Sequence, residues 1–314
     1  MSKLDRRNPL TVGLMVVIAA IFCVGLSACA NPGGGQSQST TSSIDWDEVG
    51  QAVGKKGETK EGGVYRINLP RSDLSVTSEG VDIKPGLALG SYAAFEQTGD
   101  NETIVMGDLV LTEDEYNRVI SRLQQDGIEQ TAIHKHLIGE SPAIWWTHIH
   151  GRGDPLALAR TVRAALDLTG TPLKESGGSE SQNLGFDADR LDEIIGHKGK
   201  TEGGVYKYNI PRAESVTEDG TKLPPAMGVE TVMNFQPTGG SQAAINGDFA
   251  MKAEEVNRVI RALRENGIQV VSLHNHMLND DPRLFFTHFW ANDDAVKLAQ
   301  GLRAALDETN SAKE

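Results

Sequence analysis

The sequence predicts an α+β protein of two homologous domains, each a mainly antiparallel sheet with helices on one face, in a split β-α-β-like sandwich. Three observations carry this: an internal repeat, an alternation between strand and helix periods inside each copy, and helix caps in the first copy. Residues 107–128 (GDLVLTEDEYNRVISRLQQDGI) and 247–268 (GDFAMKAEEVNRVIRALRENGI) agree at 10 of 22 positions, at an offset of 140. Glu61-Gly62-Gly63-Val64-Tyr65 with Glu202-Gly203-Gly204-Val205-Tyr206, and Pro70-Arg71 with Pro211-Arg212, extend the match at an offset of 141, which one gap explains. The expected boundaries are 44–169 for the first domain, 170–185 for a linker of loop composition, 186–309 for the second domain and 310–314 for a tail.

Within the first copy, 63–69, 87–97 and 103–111 read as strands. Thr112 with Glu115 then forms a capping box, and Tyr116, Val119, Ile120 and Leu123 recur at helical spacing until Gly127 stops the helix. Val256, Val259, Ile260 and Leu263 repeat that stripe in the second copy. A strand over 128–137, a turn around 139–142 and a strand over 143–150 follow. Asp154-Pro155, an N-cap with proline at the first helical position, opens a last helix.

The 314 residues are 39% hydrophobic and 23% charged, with a mean hydropathy of -0.33. That excludes a polytopic membrane protein and a largely disordered chain. A net charge of -13 argues against a nucleic-acid partner, which needs a basic patch. The only cysteines are Cys23 and Cys29, so no disulfide framework is expected.

Lys3, Arg6 and Arg7 precede an apolar run over 10–26, followed by Leu26-Ser27-Ala28-Cys29. This reads as a signal peptide, and its end resembles a bacterial lipobox, in which the cysteine sulfur takes a diacylglyceryl group before cleavage on its amino side. Cys29 is then the lipidation site, 1–28 the peptide removed, and 29–43 (CANPGGGQSQSTTSS) the lipidated residue with a flexible tether. The expected place is the bacterial cell membrane, lipid-anchored on the extracytoplasmic face, where partners include the membrane, a small ligand or metal, and other envelope proteins.

Six of the eight histidines form matched pairs: His134 with His274, His136 with His276, His148 with His288. In each copy a His-x-His on one strand precedes a Thr-His on the next, and residues two apart on a strand share a face. If the turn lies near 141–142 and 281–282, position 148 falls opposite 134 or 136, and 288 opposite 274 or 276, close enough to share an ion. Three neutral imidazoles with an open position suit a transition metal, zinc or copper. The same face carries Trp146 with His148 and His150, and Phe286 with His288 and Trp290. The other account of this face is a packed seam between the copies, with each imidazole satisfied by hydrogen bonds. Glu96 aligns with Gln236, so no shared carboxylate offers a fourth ligand there.

The run Ser272-Leu273-His274-Asn275-His276-Met277-Leu278, with Asp281-Pro282-Arg283-Leu284-Phe285-Phe286-Thr287-His288-Phe289-Trp290 after it and Gly247-Asp248 before it, resembles the LppY/LpqO lipoprotein family, an often duplicated domain of unknown function. The resemblance spans both copies and the lipobox. The first copy departs from it, with Lys135 for Asn, Ala143 for Arg and Trp145-Trp146 for Phe-Phe. If only one copy is functional, the second is favoured, with His274, His276 and His288 as its core and Asn275 and Arg283 as candidate ligand-binding neighbours; Trp290 and Trp146, on the histidine face, are the further candidates.

Other signals have plain readings. Gly107-Asp108 and Gly247-Asp248 read as backbone geometry plus a solvated charge. Residues 196–201 (GHKGKT) lack phosphate-loop spacing, and Asp154 of the Arg-Gly-Asp tripeptide is a helix cap. No Gly-x-Ser-x-Gly elbow occurs, so serine and cysteine nucleophile chemistries lack support. The expected function is a binding protein for a metal or small ligand. The alternatives are a zinc-dependent hydrolase or lyase, with water activated at the open position, and a structural envelope module.

Overall fold

In the computed structural model, residues 43–174 and 184–313 are described; the signal segment, Cys29, the tether and most of the 170–185 linker lie outside them. Each repeat opens with a short helix that the sequence reading did not name, Trp46–Val53 and Ala188–Ile195. The Asp45 and Asp187 side chains accept from first-turn amides, and Gly54 and Gly196 close the helices in the left-handed conformation at φ 90° and 77°.

Six antiparallel strands then form one sheet per repeat. Across the first sheet they run Glu58–Thr59, Tyr65–Pro70, Gly90–Gly99, Glu102–Thr112, Ile144–Gly153 and Glu129–His134. The second sheet repeats this order with Lys200–Glu202, Val205–Pro211, Glu230–Gly239, Gln242–Met251, Phe285–Asp294 and Gln269–His274. The expected helices appear as Glu113–Gln125 and Pro155–Leu166, matched by Ala253–Glu265 and Ala295–Leu306. Both caps form as read: the Thr112 amide donates to Glu115 Oε2 at 2.9 Å, and the Ala157 amide to Asp154 Oδ1 at 2.8 Å.

Three expectations need correction. The strand placed at 87–97 starts later, at Gly90, because Pro85 pre-sets φ for a helical turn, Pro85–Ala88. The strand placed at 128–137 stops at His134, so His136 lies on the loop beyond it. The hairpins pair His134 with Trp146 and His274 with Phe286, which centres their turns near residues 140 and 280 rather than 141–142 and 281–282, so His148 stands opposite Ala132, and His288 opposite Ser272, rather than opposite a histidine.

Each sheet is covered on both sides. Along Glu102–Thr112, Val105, Leu109 and Leu111 join the helix-side core with Val119, Leu123 and Val162. The alternate residues Ile104, Met106 and Val110 enter two further cores that draw members from both repeats. The second sheet does the same, with Ala243, Ile245, Phe249 and Met251 on the helix side and Ala244 and Ala250 on the shared side. The two sheets therefore pack against each other through the faces their helices leave bare.

The segments before the long central strands reach across. Val76, Ile83 and Leu87 pack with Ala244 and Trp290, while Val216, Leu223 and Met227 pack with Val64, Ala94 and Met106. Polar groups lock the exchange: Gln236 Nε2 donates to the Asp82 carbonyl at 2.7 Å, and Arg66 donates to the Ala226 carbonyl at 3.1 Å. Trp146 and Trp290 are fully buried in this seam; removing side chains of that size from water stabilises the docked repeats by roughly 2–3 kcal/mol each. Among the described residues no helix is long and apolar enough to cross a membrane.

A candidate metal centre between the repeats

All six matched histidines meet in this seam. His134 stacks on His274 with ring centroids 3.9 Å apart, His136 on His288 at 3.8 Å, and His148 packs against His276 at 3.9 Å. Every one of these contacts joins one repeat to the other. Within each repeat the His-x-His rings lie 4.9 and 5.1 Å apart, tilted by 39° and 43°. Trp146 stacks on His136 at 4.5 Å and Phe286 on His276 at 3.5 Å, so the aromatic neighbours read from strand alternation wall the cluster.

Two carboxylates join it, correcting the solvated-charge reading of both Gly-Asp pairs. Asp108 and Asp248 are buried, at 4% and 6% exposure. Their strands alternate so that 104, 106 and 110, or 244 and 250, face the seam, and positions 108 and 248 share that side. Asp108 Oδ2 lies 3.1 Å from His136 Nε2, and Asp248 Oδ2 lies 3.2 Å from His276 Nε2. The signal was present in the sequence, since Gly-Asp recurs at the same offset as the histidines. What the preceding glycine does is also visible: a Cβ on Gly107 would meet the Tyr92 carbonyl at 2.4 Å, and one on Gly247 the Val232 carbonyl at 2.0 Å.

Those glycines also aim imidazoles. His148 Nδ1 lies 3.3 Å from the Gly107 carbonyl, and His288 Nδ1 2.8 Å from the Gly247 carbonyl. A carbonyl only accepts, so Nδ1 carries the proton. In a neutral ring that leaves Nε2 as a bare lone pair. Burial above all holds His134, His136, His148 and His274 well below the ordinary imidazole range, and His288 below it. Burial would raise Asp248, but the adjoining His276 ring and the surrounding imidazoles outweigh it and hold the carboxyl below its usual value.

The cluster leaves polar atoms unsatisfied. His134 Nδ1, His148 Nε2, both ring nitrogens of His274, His276 Nε2, His288 Nε2 and Asp108 Oδ1 are buried without a hydrogen-bond partner. Donor atoms of His134, His136 and His288, of His134, His148 and His274, and of Asp248, His274 and His276 lie within 4.8 Å of one another in each set.

The remaining candidates sit around this centre. Asn275 donates to the carbonyls of Thr131 and Met277 at 2.9 and 2.7 Å, tying the second repeat's His-x-His to the first repeat's edge strand. Arg283 pairs with Asp280 at 2.8 Å and donates to the Met277 and Leu278 carbonyls. Trp146 Nε1 donates to the Ala88 carbonyl and Trp290 Nε1 to Glu79 Oε2, both at 2.9 Å. Lys135, which replaces the motif's Asn, pairs with Glu140 and lies 4.2 Å over the Trp145 ring.

Comparison with solved structures finds likeness to a trimeric bacterial microcompartment shell protein, PduB, at 14% identity and a TM-score of 0.22, over 83% of this chain and 97% of that one. EtuB from Clostridium kluyveri is similar at 10% identity and a TM-score of 0.20, over 81% and 90%. No curated protein matches. Residues 47–168 and 189–308 each match the family described as Domain of Unknown Function (DUF1259). With the match repeated over both halves and the same sheet order in each, the chain belongs to that family as a tandem duplicate.

Proposed function

We propose that this protein is a lipid-anchored, extracytoplasmic lipoprotein, of the LppY/LpqO group within its family, that binds a transition metal such as zinc or copper in the seam between its repeats. The observation that carries the metal reading is the set of buried, unpartnered imidazole nitrogens converging from both repeats. A buried polar atom without a partner costs about 1–3 kcal/mol, and each of the five imidazoles that carry such nitrogens has one lone pair for a cation to accept. Neutral imidazole suits zinc and copper, and hydrogen bonds from His148 and His288 to glycine carbonyls are the outer contacts that orient metal-bound histidines. The reading is of a binder rather than a hydrolase, because His134, His148, His276 and His288 are buried at 4–5% exposure, leaving little room for a substrate to reach the ion. Anchoring at Cys29 rests on Leu26-Ser27-Ala28-Cys29 and the tether after it.

Elemental analysis of protein purified without chelator or His tag, beside a His274→Ala/His276→Ala variant, tests the metal. Metal in the parent and none in a folded variant supports the reading; none in either overturns it. For the anchor, Cys29→Ser is expected to leave the membrane fraction or to retain residues 1–28, and a variant processed and membrane-bound like the parent refutes lipidation.

A further inference from the structure

We infer that the seam holds two metal ions rather than one, each on the His-x-His and Gly-Asp residues of a single repeat: Asp108, His134 and His136 for one, Asp248, His274 and His276 for the other. This rests on the metal reading above and divides its donors.

In the first repeat His136 Nε2 lies 2.9 Å from His134 Nε2 and 3.1 Å from Asp108 Oδ2. Two donors on one ion, each at about 2.1 Å and roughly at right angles, stand about 3 Å apart. The spacing is that of neighbouring ligands on a shared ion. In the second repeat His276 Nδ1 lies 2.7 Å from the Gly228 carbonyl, so Nδ1 holds the proton. Its Nε2 then turns a bare lone pair to Asp248 Oδ2 at 3.2 Å. Two acceptors at that distance require a positive charge, either a second proton on the ring or a cation between them. His274, whose two ring nitrogens have no partner, completes the same set.

A single central ion on His134, His148 and His274 is the competing arrangement. An imidazole binds a metal in its own ring plane. His134 and His274 are stacked 3.9 Å apart with planes only 15° from parallel, so their lone pairs run side by side and do not converge. The pseudo-twofold relation of the repeats then gives each ring its own ion. Two imidazoles and one carboxylate make a donor set for a divalent ion of the zinc or iron(II) class, with His148 and His288 left as further donors, His288 lying with His134 and His136.

The test is a titration of the full chain with cobalt(II), read by its visible d–d absorption and by bound metal after desalting. Two equivalents are expected for the parent, one for Asp108→Asn/His136→Ala, one for Asp248→Asn/His276→Ala, and none for the quadruple variant. Asp108→Asn and Asp248→Asn alone, which keep side-chain volume, are each expected to weaken one equivalent at least tenfold while the unfolding transition stays cooperative. One equivalent in the parent, lost alike in either double variant, overturns the two-ion arrangement and leaves the metal reading standing. No binding to the parent overturns both.

Discussion

Arg71 and Glu115 form a buried two-pronged ion pair, with Arg71 donating to Oε2 at 2.7 Å and to Oε1 at 3.1 Å. Arg71 also reaches Asp73 and the Val110 carbonyl, and the whole arrangement recurs with Arg212, Glu255, Glu214 and the Ala250 carbonyl. It fastens the turn after the second strand of each sheet to the start of the helix beyond the central strand. Glu115 thereby does two jobs, since it also caps that helix.

Breaking one such pair leaves a buried charge alone. Arg212→Ala is expected to lower stability by about 3–5 kcal/mol, and Glu255→Gln by less because the amide keeps part of the contacts. Chemical denaturation of both variants measures this; a loss below about 1 kcal/mol for Arg212→Ala contradicts the role given to the pair.

Acid should weaken the metal-free protein. The five histidines held down by burial have folded values below the unfolded value of about 6.5. Below that pH the unfolded chain binds more protons than the folded one, so stability falls as pH falls, by up to about 1.4 kcal/mol per pH unit for each histidine. Above roughly pH 7.5 both states are neutral at these positions and the contribution is constant. Thermal unfolding of chelator-treated protein between pH 8 and 5 checks the slope, and replacing His134 and His274 by Gln should flatten it.

Gly107→Ala should disturb both fold and centre. The added Cβ would lie 2.4 Å from the Tyr92 carbonyl, and the forced backbone shift moves the carbonyl that orients His148. A cost of about 2–3 kcal/mol is expected, together with weaker metal binding. Gly127→Ala serves as the control, for there the φ of +83° is strained but nothing lies within 4 Å, so stability falls while metal binding is unchanged.

Trp146 is positioned to report the ion. Its ring stacks on His136 at 4.5 Å, so copper(II) bound at that histidine should quench tryptophan emission. Trp146→Phe keeps a ring in the seam and should remove most of the copper-dependent change; undiminished quenching in that variant places the ion elsewhere.

The repeat, the capped helices and the matching of six histidines are all properties of local spacing, so the chain itself determined them. A 3.6-residue stripe after Thr112 needs no knowledge of its partner, and neither does an Asp-Pro start at 154. The convergence of the histidines across repeats was decided only by tertiary packing. Period-2 alternation says that 106, 108 and 110 share a face, but not whether water, a helix or another sheet covers it. Once the second sheet covers it, Asp108 loses solvent and gains His136, and the Gly-Asp pair changes from a surface turn into part of the centre. Register was equally out of reach: pairing His134 with Trp146 centres the turn near residue 140 and puts His148 opposite Ala132, and the loop beyond His134 is held by the other repeat, where Asn246 donates to the His136 carbonyl. Sequence named the imidazoles, while the docking of two sheets through their helix-free faces supplied the carboxylates and the common seam.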